Sequence, residues 1–196
     1  NNTCTVCSFS PDYTAGLEYS SYDGTSYAVT GRGQASGNAL VIPSVYNGLP
    51  VTRIEDNAFS MQTFFTNIVI PRSVTEIGDY AFYRFSSLTE AVIPESVVKI
   101  GGLAFADCTS LKQITLPGSV EEYGSAVFEG CTALQKAKIA ASAASLLPKT
   151  IKSVVVTSGE RIEDYAFENS EIERITLPEG IAYIGNSAFA NCVFLT

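Results

Sequence analysis

The chain repeats itself at a fixed interval. Phe59, Phe82, Phe105 and Phe128 stand 23 residues apart, and the series Pro71, Pro94, Pro117 and Ile54, Ile77, Ile100, Tyr123 keep the same step. Columns that move together in this way dictate a repeat architecture, because a unit this short cannot bury its apolar side alone and must stack on copies of itself. Phe167 and Phe189 continue the phenylalanine series after 39 and 22 residues, so one intervening unit is degenerate.

Written once, the unit reads Leu-x-x-Ile-x-Ile-Pro, a gap, then Val-x-x-Ile-Gly-x-x-Ala-Phe, often followed by Cys. Residues 88–108 show it best. Ala91 and Ile93 alternate with Glu90 and Val92, the period of a short half-buried strand. Pro94 cannot donate a ladder hydrogen bond, so it ends that strand, and Val97 to Ile100 forms a second extended segment. Gly101-Gly102 is expected to supply the next corner, and Leu103-Ala104-Phe105-Ala106 a single helical or 3₁₀ turn. The predicted fold is therefore a mostly β repeat solenoid with a parallel sheet and short helical or 3₁₀ turns. Its rungs are spaced by about 4.8 Å, with the phenylalanines forming an internal ladder.

These Ile-Pro, Val-x-x-Ile-Gly and Ala-Phe-x-x-Cys elements resemble the BspA-type leucine-rich repeats of bacterial and some protist surface proteins, over roughly residues 38–196. The resemblance implies a right-handed leucine-rich-repeat-like coil, a secreted or cell-surface location, and adhesion to host matrix or to other cells.

Two regions depart from the unit. Between Leu134 and Ile151 the second arm is replaced by Ala140–Leu147, whose Ala and Leu content predicts a short helix stopped by Pro148 and a dent in the convex side. Residues 1–37 are read as a tail and a β-hairpin cap on the repeats. One hairpin is placed at Asp23-Gly24 as a type I′ turn, and a second at Asn47-Gly48 between Val41-Ile42 and Val51-Thr52. At the other end Leu195 and Thr196 match the first positions of a new strand, so the last repeat is expected to be truncated.

Composition narrows the chemistry. The chain of 196 residues has no histidine, which removes Ser-His-Asp and Cys-His relays and imidazole metal sites. Cys4-x-x-Cys7 has the spacing of one half of a zinc site and lacks the other two ligands, so neither metal nor any other cofactor is expected. Cys108, Cys131 and Cys192 follow the phenylalanine column at a fixed offset and are expected to be reduced and buried. Gly31-x-Gly33 lacks the context of a dinucleotide fingerprint. The carboxylate pairs Glu121-Glu122 and Glu163-Asp164 fall at repeated solvent positions on a turn, a solvated rim in place of an acid and base pair. No enzyme is expected.

Charge placement is the most informative pattern. The net charge of −8 argues against nucleic acid, and no apolar run is long enough for membrane insertion. Yet the outward strand positions collect five basic residues, Lys112, Lys136, Lys138, Lys152 and Arg174, against two acids, Glu90 and Glu173. That is a net of about +3 on one face, with about −11 left for everything else. Two readings stand. Exposed strand lysines keep sheets soluble and block edge pairing; the same lysines also form a surface for a host or microbial protein or an anionic glycan, the face on which repeat proteins usually bind. The cap tyrosines Tyr13, Tyr19, Tyr22 and Tyr46 either pack together or hold a sugar or peptide. The expected function is a non-catalytic recognition module of a surface protein, the alternative a structural spacer within a longer one.

Overall fold

The computed structural model describes residues 13–196; Cys4 and Cys7 lie outside the described residues. The chain begins with β1 (Glu18–Ser20), β2 (Tyr27–Gly31), β3 (Ala39–Val41), β4 (Val45–Tyr46) and β5 (Leu49–Ile54). The repeats follow as strand pairs: β6 (Asn67–Val69) and β7 (Glu76–Ile77), β8 (Glu90–Val92) and β9 (Lys99–Ile100), β10 (Gln113–Thr115) and β11 (Glu122–Tyr123). Then come β12 (Lys136–Ala140), a 3₁₀ helix (Ala141–Leu146), β13 (Ser153–Ser158), β14 (Arg161–Ile162), β15 (Arg174–Thr176) and β16 (Tyr183–Ile184).

The first strand of each pair joins a seven-stranded parallel sheet in the order β15-β13-β12-β10-β8-β6-β3. The second strands form a narrower layer, β2-β5-β7-β9-β11, interrupted at the irregular unit and resumed as β14-β16. Between the layers lies one core, in which Ile54, Ile77, Ile100, Phe59, Phe82, Phe105, Phe128 and Leu88 are fully buried. This is the predicted solenoid, and the phenylalanine ladder is present. Phe59, Phe82, Phe105 and Phe128 stack at centroid separations of 5.6, 5.0 and 5.8 Å, and Phe167 and Phe189 stack at 5.3 Å beyond the break.

The Ala-Phe arm is not a helical or 3₁₀ turn. Its backbone alternates between turn bonds inside the rung and bonds to the next rung. Ala106 N donates to Leu103 O, whereas Leu103, Phe105 and Asp107 donate to Ser125, Val127 and Glu129. A helix would consume those donors internally; here they zip one rung to its neighbour. Positive φ at Tyr80 and Arg84, Leu103 and Asp107, and Tyr165 and Asn169 aims them outward.

Gly101 also has a different role from the one expected, since neither it nor Gly102 adopts the left-handed region. A Cβ on Gly101 would lie 2.5 Å from Asp79 N. Gly78, Gly124 and Gly185 stand at equivalent points against the preceding rung. The Ile-Gly element therefore records close approach of two rungs, not a corner.

The irregular unit has a local cause. Units elsewhere carry Ile-Pro or Leu-Pro at the end of the first strand, but Ile139-Ala140 and Val156-Thr157 keep a backbone N–H. Here β12 runs for 5 residues and β13 for 6, and the 3₁₀ helix, at the expected place before Pro148, takes over the missing arm. Its Ala141, Ala143 and Ala144 are buried, so the 3₁₀ helix packs its inner side against the core at this rung.

At the start, β1 and β2 pair antiparallel as expected, but through a six-residue loop and not a type I′ turn: only Gly24 has positive φ, and Asp23 accepts from Thr25 N and Ser26 N. The Asn47-Gly48 turn does have positive φ at both residues, though it joins Val45–Tyr46 to Leu49-Pro50. Val41 is not its partner strand. It lies in β3, the first strand of the large sheet, whose outer edge Thr14 closes by donating from N to Val41 O and from Oγ1 to Ala39 O, and by accepting from Val41 N. At the far end Thr196 N donates to Glu173 O, the position of a new strand.

Candidate functional site

The face of the large sheet turned away from the core is built by strand alternation alone. Leu40, Ile68, Ala91, Ile114, Ala137 and Val154 point inward, and their neighbours point to solvent. The parallel register then aligns the outward residues into columns. Glu90, Gln113, Lys136, Ser153 and Arg174 are direct cross-strand partners, as are Val92, Thr115, Lys138, Val155 and Thr176. A third column precedes each strand: Lys112 N donates to Thr89 O, Gln135 N to Lys112 O, Lys152 N to Gln135 O, and Glu173 N to Lys152 O.

All five basic residues named from the sequence therefore lie on one surface. Lys152 is the exception in charge, since its Nζ sits 3.3 Å from Glu173 Oε1. Lys112, Lys136, Lys138 and Arg174 have no ion-pair partner among the described residues, so their charge is not cancelled locally. Thr89, Glu90, Lys112, Gln113, Gln135 and Lys136 line an open furrow of about 500 Å³. A smaller one of about 170 Å³ adjoins it across Gln113 and Lys136, reaching Lys138, Ser153 and Val155. Toward β6 and β8 the face turns apolar, with Val69 and Val92 exposed.

The second sheet holds a charge pattern not recognised in the sequence. Arg53, Glu76, Lys99 and Glu122 are cross-strand partners of alternating sign, with contacts of 2.9 Å, 3.6 Å and 3.4 Å. Their 23-residue spacing was the available signal. Glu122 and Glu76 raise the pKa of the Lys99 ammonium group by holding its charged form. The two cations and two acids of this ladder balance one another, and Arg53 is further paired with Glu55 and Asp56, so no cation of the ladder is left without an acid.

The remaining candidates resolve into structure. Glu163 and Asp164 are exposed, with Glu163 paired to Arg161 at 2.9 Å, and Glu121 and Glu122 are exposed on the rim. Cys108, Cys131 and Cys192 are free thiols, each donating to the carbonyl of a preceding phenylalanine, Phe82, Phe105 and Phe167. The neighbouring Cys131 thiol and burial push the Cys108 thiol up, which suppresses its thiolate. Cys192, expected to be buried, is only half-buried because no further described rung covers it. Tyr19 and Tyr46 stack at 3.8 Å, with Tyr27 edge-on to both, so two of the four cap tyrosines pack while Tyr13 and Tyr22 are exposed. Gly33 is accounted for by a close approach to Gly16 O. Among the described residues no group of three or more acidic, Cys or His side chains is placed to hold a metal, and no helix is long and apolar enough to cross a membrane.

A two-layered parallel β solenoid with an open, side-chain-lined sheet face defines a repeat protein of the leucine-rich class. The model of the BspA-type leucine-rich repeat region matches residues 42–152 and 148–196 in six copies, and the chain belongs to that family. Among solved structures it is similar to a T. pallidum leucine-rich repeat protein, with 26% identity and TM-score 0.58 over 92% of this chain and 88% of that one. A leucine-rich cell surface protein from Faecalibacterium prausnitzii gives 28% identity and TM-score 0.62 over 97% of this chain and 55% of that one. A leucine-rich repeat protein from Eubacterium ventriosum gives 25% and 0.59 over 84% of this chain and 45% of that one. The chain thus spans only about half the length of the latter two. No curated protein matches.

Proposed function

We propose that the chain is a non-catalytic recognition module of a secreted or cell-surface bacterial protein, binding a macromolecular partner through the exposed face of the large sheet in an adhesive role. The observation that carries this reading is the contrast between the two layers. The second sheet cancels its charges in a ladder, whereas the large face of an acidic protein gathers Lys112, Lys136, Lys138 and Arg174 without local partners. An excess of five cations over two acids on one face of a chain of net charge −8 favours a binding surface over a solubility role alone. The family and the Faecalibacterium cell surface protein support the location. Shallow furrows and exposed carboxylates support binding over turnover, since catalysis draws on enclosed sites that exclude water.

The test is a binding screen of glycans and matrix proteins against the chain and a Lys112→Glu, Lys136→Glu, Lys138→Glu, Lys152→Glu variant of unchanged circular dichroism. A salt-sensitive partner lost by the variant is the expected result. Equal binding by both proteins refutes the face as the site, and no binding by either favours the spacer reading.

A further inference from the structure

The register resolves the basic face into something more specific than a patch. Each of four successive strands presents two adjacent outward residues, one from the third column and one from the first: Lys112-Gln113, Gln135-Lys136, Lys152-Ser153 and Glu173-Arg174. Every pair contains one cation. The cation alternates between columns, so Lys112, Lys136, Lys152 and Arg174 zigzag along the axis of the coil, one per rung, over three steps of about 4.8 Å. In the first three pairs the other residue is a neutral hydrogen-bonding side chain, Gln113, Gln135 or Ser153. The two adjoining furrows run beneath the Lys112 and Lys136 end of this row, the larger one bordered by Glu90.

We propose that this row takes a linear carboxylated polysaccharide, laid along the coil axis with one acidic sugar per rung; the inference rests on the sheet face being the binding surface. A row of single charges that never converge suits a polymer and not a small anion. The step of one rung is close to the advance of one linked pyranose ring in an extended chain. A cation beside an amide or hydroxyl on three of the four rungs matches a residue that carries one carboxylate among several hydroxyls; on the fourth, Arg174 stands beside Glu173. Nucleic acid is disfavoured because these strands present no aromatic side chain to stack bases and the rest of the protein repels a dense polyphosphate. From β10 to β13 the backbone groups are used between rungs, so an acidic peptide could add as a strand only at the outer edge of β15, at one end of the row and not along it.

The test is calorimetric titration of the full chain with oligogalacturonates of increasing length, their methyl esters and poly-L-glutamate, at low and high salt. Affinity is expected to rise up to four sugars and then level, to fall with salt, and to vanish on esterification. Lys112→Gln, Lys136→Gln, Lys152→Gln and Arg174→Gln each weaken binding about two- to fivefold, the range of an exposed charge contact. Glu173→Gln strengthens it by releasing Lys152, and Lys99→Gln, on the other sheet, leaves it unchanged. Equal affinity for the ester, for the dimer or for poly-L-glutamate overturns the proposal. So does failure of every oligosaccharide while another partner still depends on the face; that outcome leaves the recognition reading intact. Loss of face dependence throughout the screen removes both.

Discussion

Gly101 and Gly102 are adjacent, and the structure predicts opposite outcomes when each is changed to alanine. On Gly101 a new Cβ would meet Asp79 N and Oδ1 at 2.5 Å and Gly78 C at 2.6 Å, of which the two backbone atoms belong to the preceding rung and cannot rotate away. On Gly102 it would meet Ser125 O at 3.5 Å, Ser125 N at 3.6 Å and Asp79 Oδ1 at 3.7 Å, ordinary contact distances. Neither residue is left-handed, so alanine's conformational preference does not separate them. Forcing two rungs apart costs about 1–3 kcal/mol as overpacking. It also weakens the bond from Gly102 N to Asp79 Oδ1, now 2.7 Å, for about 1 kcal/mol. Against this stands a gain of about 0.4–1 kcal/mol from the stiffer unfolded chain, which both variants share. Gly101→Ala is thus destabilised by about 1–3 kcal/mol, while Gly102→Ala is stabilised by about 0.4–1 kcal/mol. With a urea dependence of about 2 kcal/mol per molar, their unfolding midpoints should differ by about 1–2 M at equal slope. Coincident midpoints would refute close rung approach as the reason for the Ile-Gly element.

Other consequences are equally direct. Phe105→Ala should cost about 3–5 kcal/mol in denaturant unfolding, and Phe105→Leu much less, because leucine refills most of the volume and loses chiefly stacking worth about 0.5–1.5 kcal/mol. Burial pushes the Tyr123 hydroxyl up to about 12. Its contribution to stability is therefore complete below the ordinary tyrosine value of about 10 and lost as pH rises toward the folded value. Midpoints measured from pH 9 to 11.5 should fall more steeply in the parent than in Tyr123→Phe. In a Cys4→Ser, Cys7→Ser background, a thiol reagent should label Cys192 in the native protein and Cys108 and Cys131 only on unfolding; equal labelling of all three would contradict their burial. Glu76→Gln, which removes the carboxylate between Arg53 and Lys99, should cost under about 1 kcal/mol in low salt and less in high salt.

Much of this molecule is written in one dimension. A 23-residue period places Phe82 over Phe59 and Ile77 over Ile54 without any knowledge of coordinates, since stacking copies is the only way such units bury their apolar sides. The outward columns, and with them Lys112, Lys136, Lys138, Lys152 and Arg174, follow from the same register and the two-residue alternation of a strand. What local reading misassigned was the destination of backbone groups. Leu103 to Asp107 carries a turn-like composition, yet whether its N–H groups close a helix or reach the next rung is decided by the neighbour, which propensity does not contain. The same holds for Gly101, whose missing side chain answers to Asp79 rather than to its own φ, and for Val41, claimed by β6 across the coil and not by the nearby hairpin. Sequence period thus determines which residues share a column and a face; the tertiary structure alone decides how closely the rungs approach, because that distance depends on atoms a full turn away in the chain.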